Sequence, residues 1–196
     1  MIVQAWRILL VAYLLGSIPS AYIVSQLFLG KDIRELGDGN MGAKNTFHSV
    51  GLLAGVLVAA ADITKGALAV RFAQDAHLSY EAVLAAGVCV VLGHDFPIFA
   101  RFRDGQGMAT IAGVLGMLFP HETILALCVF GLVLAFSRNW NLSCGAAFVS
   151  LLGLMWFMGQ PPERLAYPFV ILPTIGIRKL MQMWQAHREA ADSGVQ

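Results

Sequence analysis

Seven apolar runs follow one another along this chain with only short polar turns between them, and that alternation limits what it can fold into. The runs cover roughly residues 8–29, 52–72, 82–99, 108–119, 123–136, 146–158 and 165–177. A helix that crosses a bilayer needs about 20 mostly apolar residues, and its backbone must satisfy its own hydrogen bonds there. The chain is 58% hydrophobic and 13% charged, with a mean hydropathy of +0.70, whereas a soluble domain is about a quarter charged. The expected fold is an all-α integral membrane protein of about seven short transmembrane helices, one membrane domain over residues 1–196. Runs shorter than a full span predict local thinning, broken helices or re-entrant and interfacial pieces.

Net charge is +1, which excludes nucleic acid as a partner. Cys89, Cys128 and Cys144 sit in or beside apolar runs without metal-ligand spacing and read as free thiols. The first run has no small-residue cleavage site before a polar chain, so it is expected to stay as a helix. Lys and Arg concentrate in alternate turns: Lys31, Arg34 and Lys44, then Arg101 and Arg103, then Arg138, then Arg178, Lys179 and Arg188. The opposite turns carry only Arg7, Arg71 and Arg164. The positive-inside rule then places the N-terminus outside and the C-terminus in the cytoplasm. Residues 178–196 are expected to form an amphipathic or disordered cytoplasmic tail.

Two of the cytoplasmic turns are rich in glycine. The first, residues 37–51, reads G-D-G-N-M-G-A-K-N-T-F-H-S-V-G. Gly37, Gly39 and Gly42 permit positive φ and close approach to a bound group; Asn40 and Asn45 add amides, Lys44 a cation and His48 a titratable ring. Such turns make anion-binding concavities, as do the helix N-termini that follow them. The spacing matches neither a P-loop nor a dinucleotide fingerprint. The second, residues 93–110, carries His94, and its Asp104-Gly105-Gln106-Gly107 turn opens the fourth run. Taken alone, His94 reads as an interfacial hydrogen-bonding residue. A third inner turn holds Arg138, Asn141 and Ser143, with Trp140 in the position of an aromatic belt. Arg138 reads equally as a positive-inside anchor.

Two further features lie inside the runs. Pro19, in G-S-I-P-S-A, removes a helix hydrogen bond that Ser17 or Ser20 can help replace. Asp62 and Lys65 share a helix face three residues apart. Charges at membrane depth are costly and tend to be paired or functional, so this pair is read as a structural ion pair or as a substrate contact.

These residues resemble a known family. G-S-I-P-S-A-Y at 16–22, K-D-I-R-E-L-G-D-G-N-M-G-A-K-N at 31–45, D-I-T-K-G-A-L at 62–68, the whole stretch 93–110 and the spacing of the runs are similar to the acyl-phosphate:glycerol-3-phosphate acyltransferases of bacterial cytoplasmic membranes. The resemblance implies seven helices, an active site in the cytoplasmic-face loops, no cofactor or metal, and acyl phosphate and glycerol-3-phosphate as substrates, in the first acylation of phospholipid synthesis. It carries over Gly37, Gly39, Asn40, Gly42, Asn45, Asp62, Lys65, His94, Gly105, Gly107 and Arg138. The chain departs from the family pattern at Asp38 (serine), Lys44 (threonine), His48 (arginine), Asp104 (glycine) and Gln106 (lysine). A family serine also falls near Asn141, with Ser143 close by, and the family's C-terminal histidine and asparagine have no full counterpart.

Asp38, His48 and Gln106 are therefore the candidate catalytic positions, and Lys44, Asn141 and Ser143 join Gly37, Gly39, Asn40, Gly42, Asn45, His94, Gly105, Gly107 and Arg138 as substrate- or phosphate-binding candidates. An acyl phosphate is already activated and needs no protein nucleophile; it needs two phosphates held side by side, with donors aimed at the reacting carbonyl. The alternative is a non-catalytic paralogue that binds lipid or a partner protein, and a weaker third reading is a small transporter.

Overall fold

The computed structural model describes residues 2–100 and 107–173, and every described apolar run becomes helix. Helix α1 (Ile2–Gly16) and α2 (Ser20–Leu29) are followed by α3 (Ala43–Ser49), α4 (Leu52–Asp75), α5 (Tyr80–Asp95), α6 (Met108–Leu118), α7 (Pro120–Ser137), α8 (Trp140–Phe157) and α9 (Pro162–Ile171). Short 3-10 turns lie at Ile33–Glu35 and Ile98–Ala100. Among the described residues there is no strand.

The expected all-α membrane fold is present, and the described residues allow its spans to be counted by length. Five stretches are long and apolar enough to cross a membrane: Val3–Leu29, Leu52–Asp75, Tyr80–Ala100, Pro120–Ser137 and Trp140–Phe157. Helix α6 has 11 residues and α9 has 10, about 15–17 Å of rise, roughly half a bilayer core. The first run is two helices, broken where Pro19 has no N–H to give. Ser17 Oγ donates to the Tyr13 carbonyl at 2.9 Å in the last turn before the break. The short helix α3 lies inside what reads as a glycine-rich loop. The tail at 178–196 lies outside the described residues.

Two helix crossings are drawn tight by reciprocal glycines. A Cβ on Gly16 would strike the Val90 carbonyl, and one on Gly93 would strike that of Tyr13, so α1 and α5 meet backbone to backbone. Gly66 lies likewise against the Thr110 carbonyl and Gly113 against that of Ile63, joining α4 to α6. In lipid there is little hydrophobic drive between helices, and close contact at small residues supplies the attraction. These four helices and α9 enclose one apolar core around Ala12, Val70, Val90, Val114 and Ile171. Half of the most apolar stretch of α5 is buried, against 17% for α7 and for α8, which sit at the periphery against lipid.

The connections separate by end. A second apolar cluster joins Ile33 and Met41 before α3 to Ala100 before α6. The start of α8 meets that of α6 through Cys144 Sγ and Met108 Sδ, 3.7 Å apart. At the other end Gln160 Nε2 donates to Glu122 Oε1 at 2.6 Å, and Arg164 lies over the Tyr80 ring. The glycine-rich turns thus share one end of the bundle.

Gly113→Ala is expected to destabilise the protein by about 1–3 kcal/mol, because the added methyl has a carbonyl in its place. Gly145→Ala, with open space around it, is expected to cost nothing. Thermal unfolding of both variants in detergent micelles checks the contrast.

Candidate functional site

The first glycine-rich turn is wired to one side chain. Asn45, 4% exposed, donates from Nδ2 to the carbonyls of Leu36 (2.9 Å) and Asn40 (3.0 Å). Its Oδ1 accepts from the Asp38 N–H (3.3 Å) and from Ser49 Oγ (3.0 Å). Gly37 has φ 60° and packs so closely on Asn45 that no side chain fits there. Gly39, also at positive φ, donates its N–H to Leu36, and the Asn40 N–H goes to Asp38 Oδ1 at 3.1 Å. The amides of residues 38–40 are therefore used within the turn and are not presented as an anion cradle. Gly42 differs from expectation as well: its φ is −129°, because it is the N-cap of α3 and a cap residue is extended.

What this wiring presents is one face of α3. Lys44 and His48, one turn apart, line a cavity of about 820 Å³ between α3, α4 and the α7–α8 turn. Ser137, Arg138, Asn139, Trp140 and Asn141 close its polar end. Phe47, Leu52, Gly55, Val56, Ala59 and Leu134 line the rest of it as an apolar trough. No Asp or Glu is among the lining residues. Among the described residues neither Lys44, His48 nor Arg138 forms an ion pair. Arg138 caps α7 with φ 51°, which turns the chain sharply into α8. Ser143 is buried and donates to the Asn139 carbonyl at 2.8 Å, supporting the start of α8 away from the cavity.

A smaller cavity of about 380 Å³ lies between Pro19, Tyr22, Arg34, Met41, Phe99 and Ala100, where the two glycine-rich segments approach each other. Arg34 is held by Asp32 and lies over Tyr22. The guanidinium, through its hydrogen bonds, keeps the Asp32 carboxyl below the usual carboxylate range.

Asp62, Lys65 and His94 form a separate buried cluster. Lys65 Nζ lies 2.8 Å from Asp62 Oδ1 and donates to the Ile18 carbonyl at 3.2 Å. His94 Nδ1 is 3.7 Å from the same Asp62 oxygen. Each of these side chains is at most 5% exposed. The cluster ties α4 and α5 to the α1–α2 break. Gly107 caps α6 at φ 64°, with Asp95 packed on it; Gly105 and Gln106 lie outside the described residues.

The sequence reading missed Arg34, the trough and the contribution of Trp140. Gly55 and Ala59, one turn apart on α4, are the small-residue signal that a groove runs there.

The sequence model described as glycerol-3-phosphate acyltransferase matches residues 6–192. The chain belongs to the glycerol-3-phosphate acyltransferase family. It is 38% identical over 191 residues to glycerol-3-phosphate acyltransferase 1 of Dehalococcoides mccartyi, covering 94% of this chain and 91% of that relative. It is 46% identical over 136 residues to the Bacillus subtilis glycerol-3-phosphate acyltransferase, covering 69% and 70%. Among solved structures it is similar to PlsY (YgiH), an integral membrane glycerol 3-phosphate acyltransferase, in its glycerol 3-phosphate form. That match has a TM-score of 0.82 at 29% identity, over 95% of this chain and 93% of that one. The lysophosphatidic acid form matches with a TM-score of 0.80. The chain is thus a multi-pass integral membrane acyltransferase.

Lys65→Met leaves Asp62 buried without its counter-charge and is expected to cost about 3–5 kcal/mol. Adding Asp62→Asn is expected to recover part of that loss. Unfolding by SDS in mixed micelles checks the order; a double variant weaker than the single one contradicts it.

Proposed function

We propose that this acyltransferase moves a fatty acyl group from an acyl phosphate to the hydroxyl of glycerol-3-phosphate, giving lysophosphatidic acid for phospholipid synthesis. The observation that carries the reading is the large cavity: a carboxylate-free mouth with two permanent cations and a histidine, continuous with an apolar trough. An amphiphile with an anionic head and an acyl tail has that shape and charge. Lys44, His48, Arg138 and Asn141 hold the phosphates, which repel each other and need cations to sit together. The acceptor oxygen attacks the acyl carbonyl carbon, an ester bond forms, and the bond from that carbon to the phosphate oxygen breaks. Phosphate leaves with the electron pair. The hydroxyl proton passes to His48 on the cavity wall or to Asp38, the exposed carboxylate on the turn that Asn45 secures.

Asn45, Gly37, Gly39, Asn40 and Gly42 shape the turn in this reading. Gly107 opens α6 at the same end, and Gly105 and Gln106 are carried by the resemblance alone. Asp62, Lys65 and His94 act as framework. Lys31, Arg34, Lys44 and Arg138 lie on the cavity side, which supports placing it in the cytoplasm and the N-terminus outside.

Purified protein given acyl phosphate and labelled glycerol-3-phosphate is expected to yield labelled lysophosphatidic acid. No product with that acceptor or with a panel of polyols removes the reading. Arg138→Ala is expected to lower kcat/KM about 100- to 1000-fold. His48→Arg with Gln106→Lys, which returns the family pattern at both positions, is expected to raise it; a fall contradicts the phosphate-holding assignment of His48.

A further inference from the structure

We infer that Trp140 is a positioning residue that acts through Lys44, fixing the ammonium at the cavity mouth without cancelling its charge; this rests on the phosphate-bearing substrate proposed above. Lys44 Nζ lies 5.9 Å from the Trp140 ring centroid, within reach of a cation–π contact. The indole is itself held from α7: the Phe130 and Trp140 rings meet edge to face, with centroids 5.2 Å apart and planes at 83°. Phe130, Trp140 and Lys44 therefore form a relay from the peripheral helix pair to the face of α3.

The chemistry explains why an aromatic stands there. Lysine has a long flexible stem, and Arg138, two residues before Trp140 on the same rim, repels its ammonium. Something must hold Lys44 toward that rim. A carboxylate would hold it more strongly, but it would also neutralise it and repel the incoming phosphate. The face of an indole attracts the cation and takes none of its N–H donors, which stay free for an anion. The ammonium is thus preorganised before the substrate arrives, and the site favours an anionic amphiphile over a neutral one with the same tail.

The test compares purified wild type, Trp140→Leu, Trp140→Phe, Lys44→Thr and the Trp140→Leu/Lys44→Thr double variant in micelles. Calorimetric titration with lysophosphatidic acid and with monoacylglycerol of equal chain length gives each variant's preference for phosphate. Wild type is expected to prefer lysophosphatidic acid. Trp140→Leu is expected to lose roughly 3- to 30-fold of that preference. Trp140→Phe should fall between the two, because a ring face remains. Lys44→Thr should lose at least as much as Trp140→Leu, and the double variant no more than Lys44→Thr alone. In turnover, KM for a phosphate-bearing substrate rises while kcat changes less. An unchanged preference in Trp140→Leu, additive losses in the double variant, or a wild type indifferent to the phosphate overturns the inference. If Trp140→Leu does not fold, a Trp140→Phe variant with the full wild-type preference overturns it. The titrations need no catalysis, so wild-type protein that binds as expected but forms no product overturns the acyl-transfer reading and leaves this inference standing.

Discussion

The bond from Lys65 Nζ to the Ile18 carbonyl is the contact on which the arrangement of the cavity end depends. Pro19 interrupts the first apolar run, and lipid offers no water to repair the interruption. Lysine reaches the break from α4, but a lone ammonium there would be costly, so Asp62 accompanies it on the same helix face. His94 brings α5 to the same oxygen. Three backbone segments are thereby fixed at the level where α2 departs toward the glycine-rich turn. The direction of α2 in turn sets where Ile33 and Met41 pack beneath that turn.

Charge is divided accordingly. Inside the bundle Asp62 and Lys65 compensate each other, and with His94 they join helices. At the cavity Lys44 and Arg138 form no ion pair among the described residues, and Lys44 Nζ lies 5.9 Å from the Trp140 ring centroid. The two arrangements also explain the small spread of the site: α3 is seated on α4 where Gly55 meets Phe47, and the peripheral α7–α8 turn closes over it.

Features that depend on neighbours in sequence were legible in the chain. The apolar runs, the hydrogen bond lost at Pro19 and the i,i+3 spacing of Asp62 and Lys65 are local, although the full break into two helices was not read from the sequence. Helix α3 was not, because seven residues are too few to show a helical period and its stability comes from packing on α4. Asn45 was legible as important but not as the hub of its own turn, since its four strongest contacts are to groups 4–9 residues away whose positions only the fold defines. The trough was hidden for the same reason: its walls come from α3, α4 and α7. The expected amide cradle failed where the turn consumed its own N–H groups.

The departures from the family pattern look like lost charge when the positions are taken one at a time. On α3 they look different. The pattern's threonine and arginine stand where this chain has Lys44 and His48, four residues apart on one helix face. The permanent cation is therefore moved by one turn, about 6 Å along α3, and not removed. A cation moved that far needs a new support, and Trp140 is the side chain that lies against its new position. Histidine stays behind at the old one, able to donate a hydrogen bond to phosphate in either protonation state. This face of α3 therefore keeps two side chains able to hold an anion, with the permanent cation at Lys44, beside Trp140 of the α7–α8 turn.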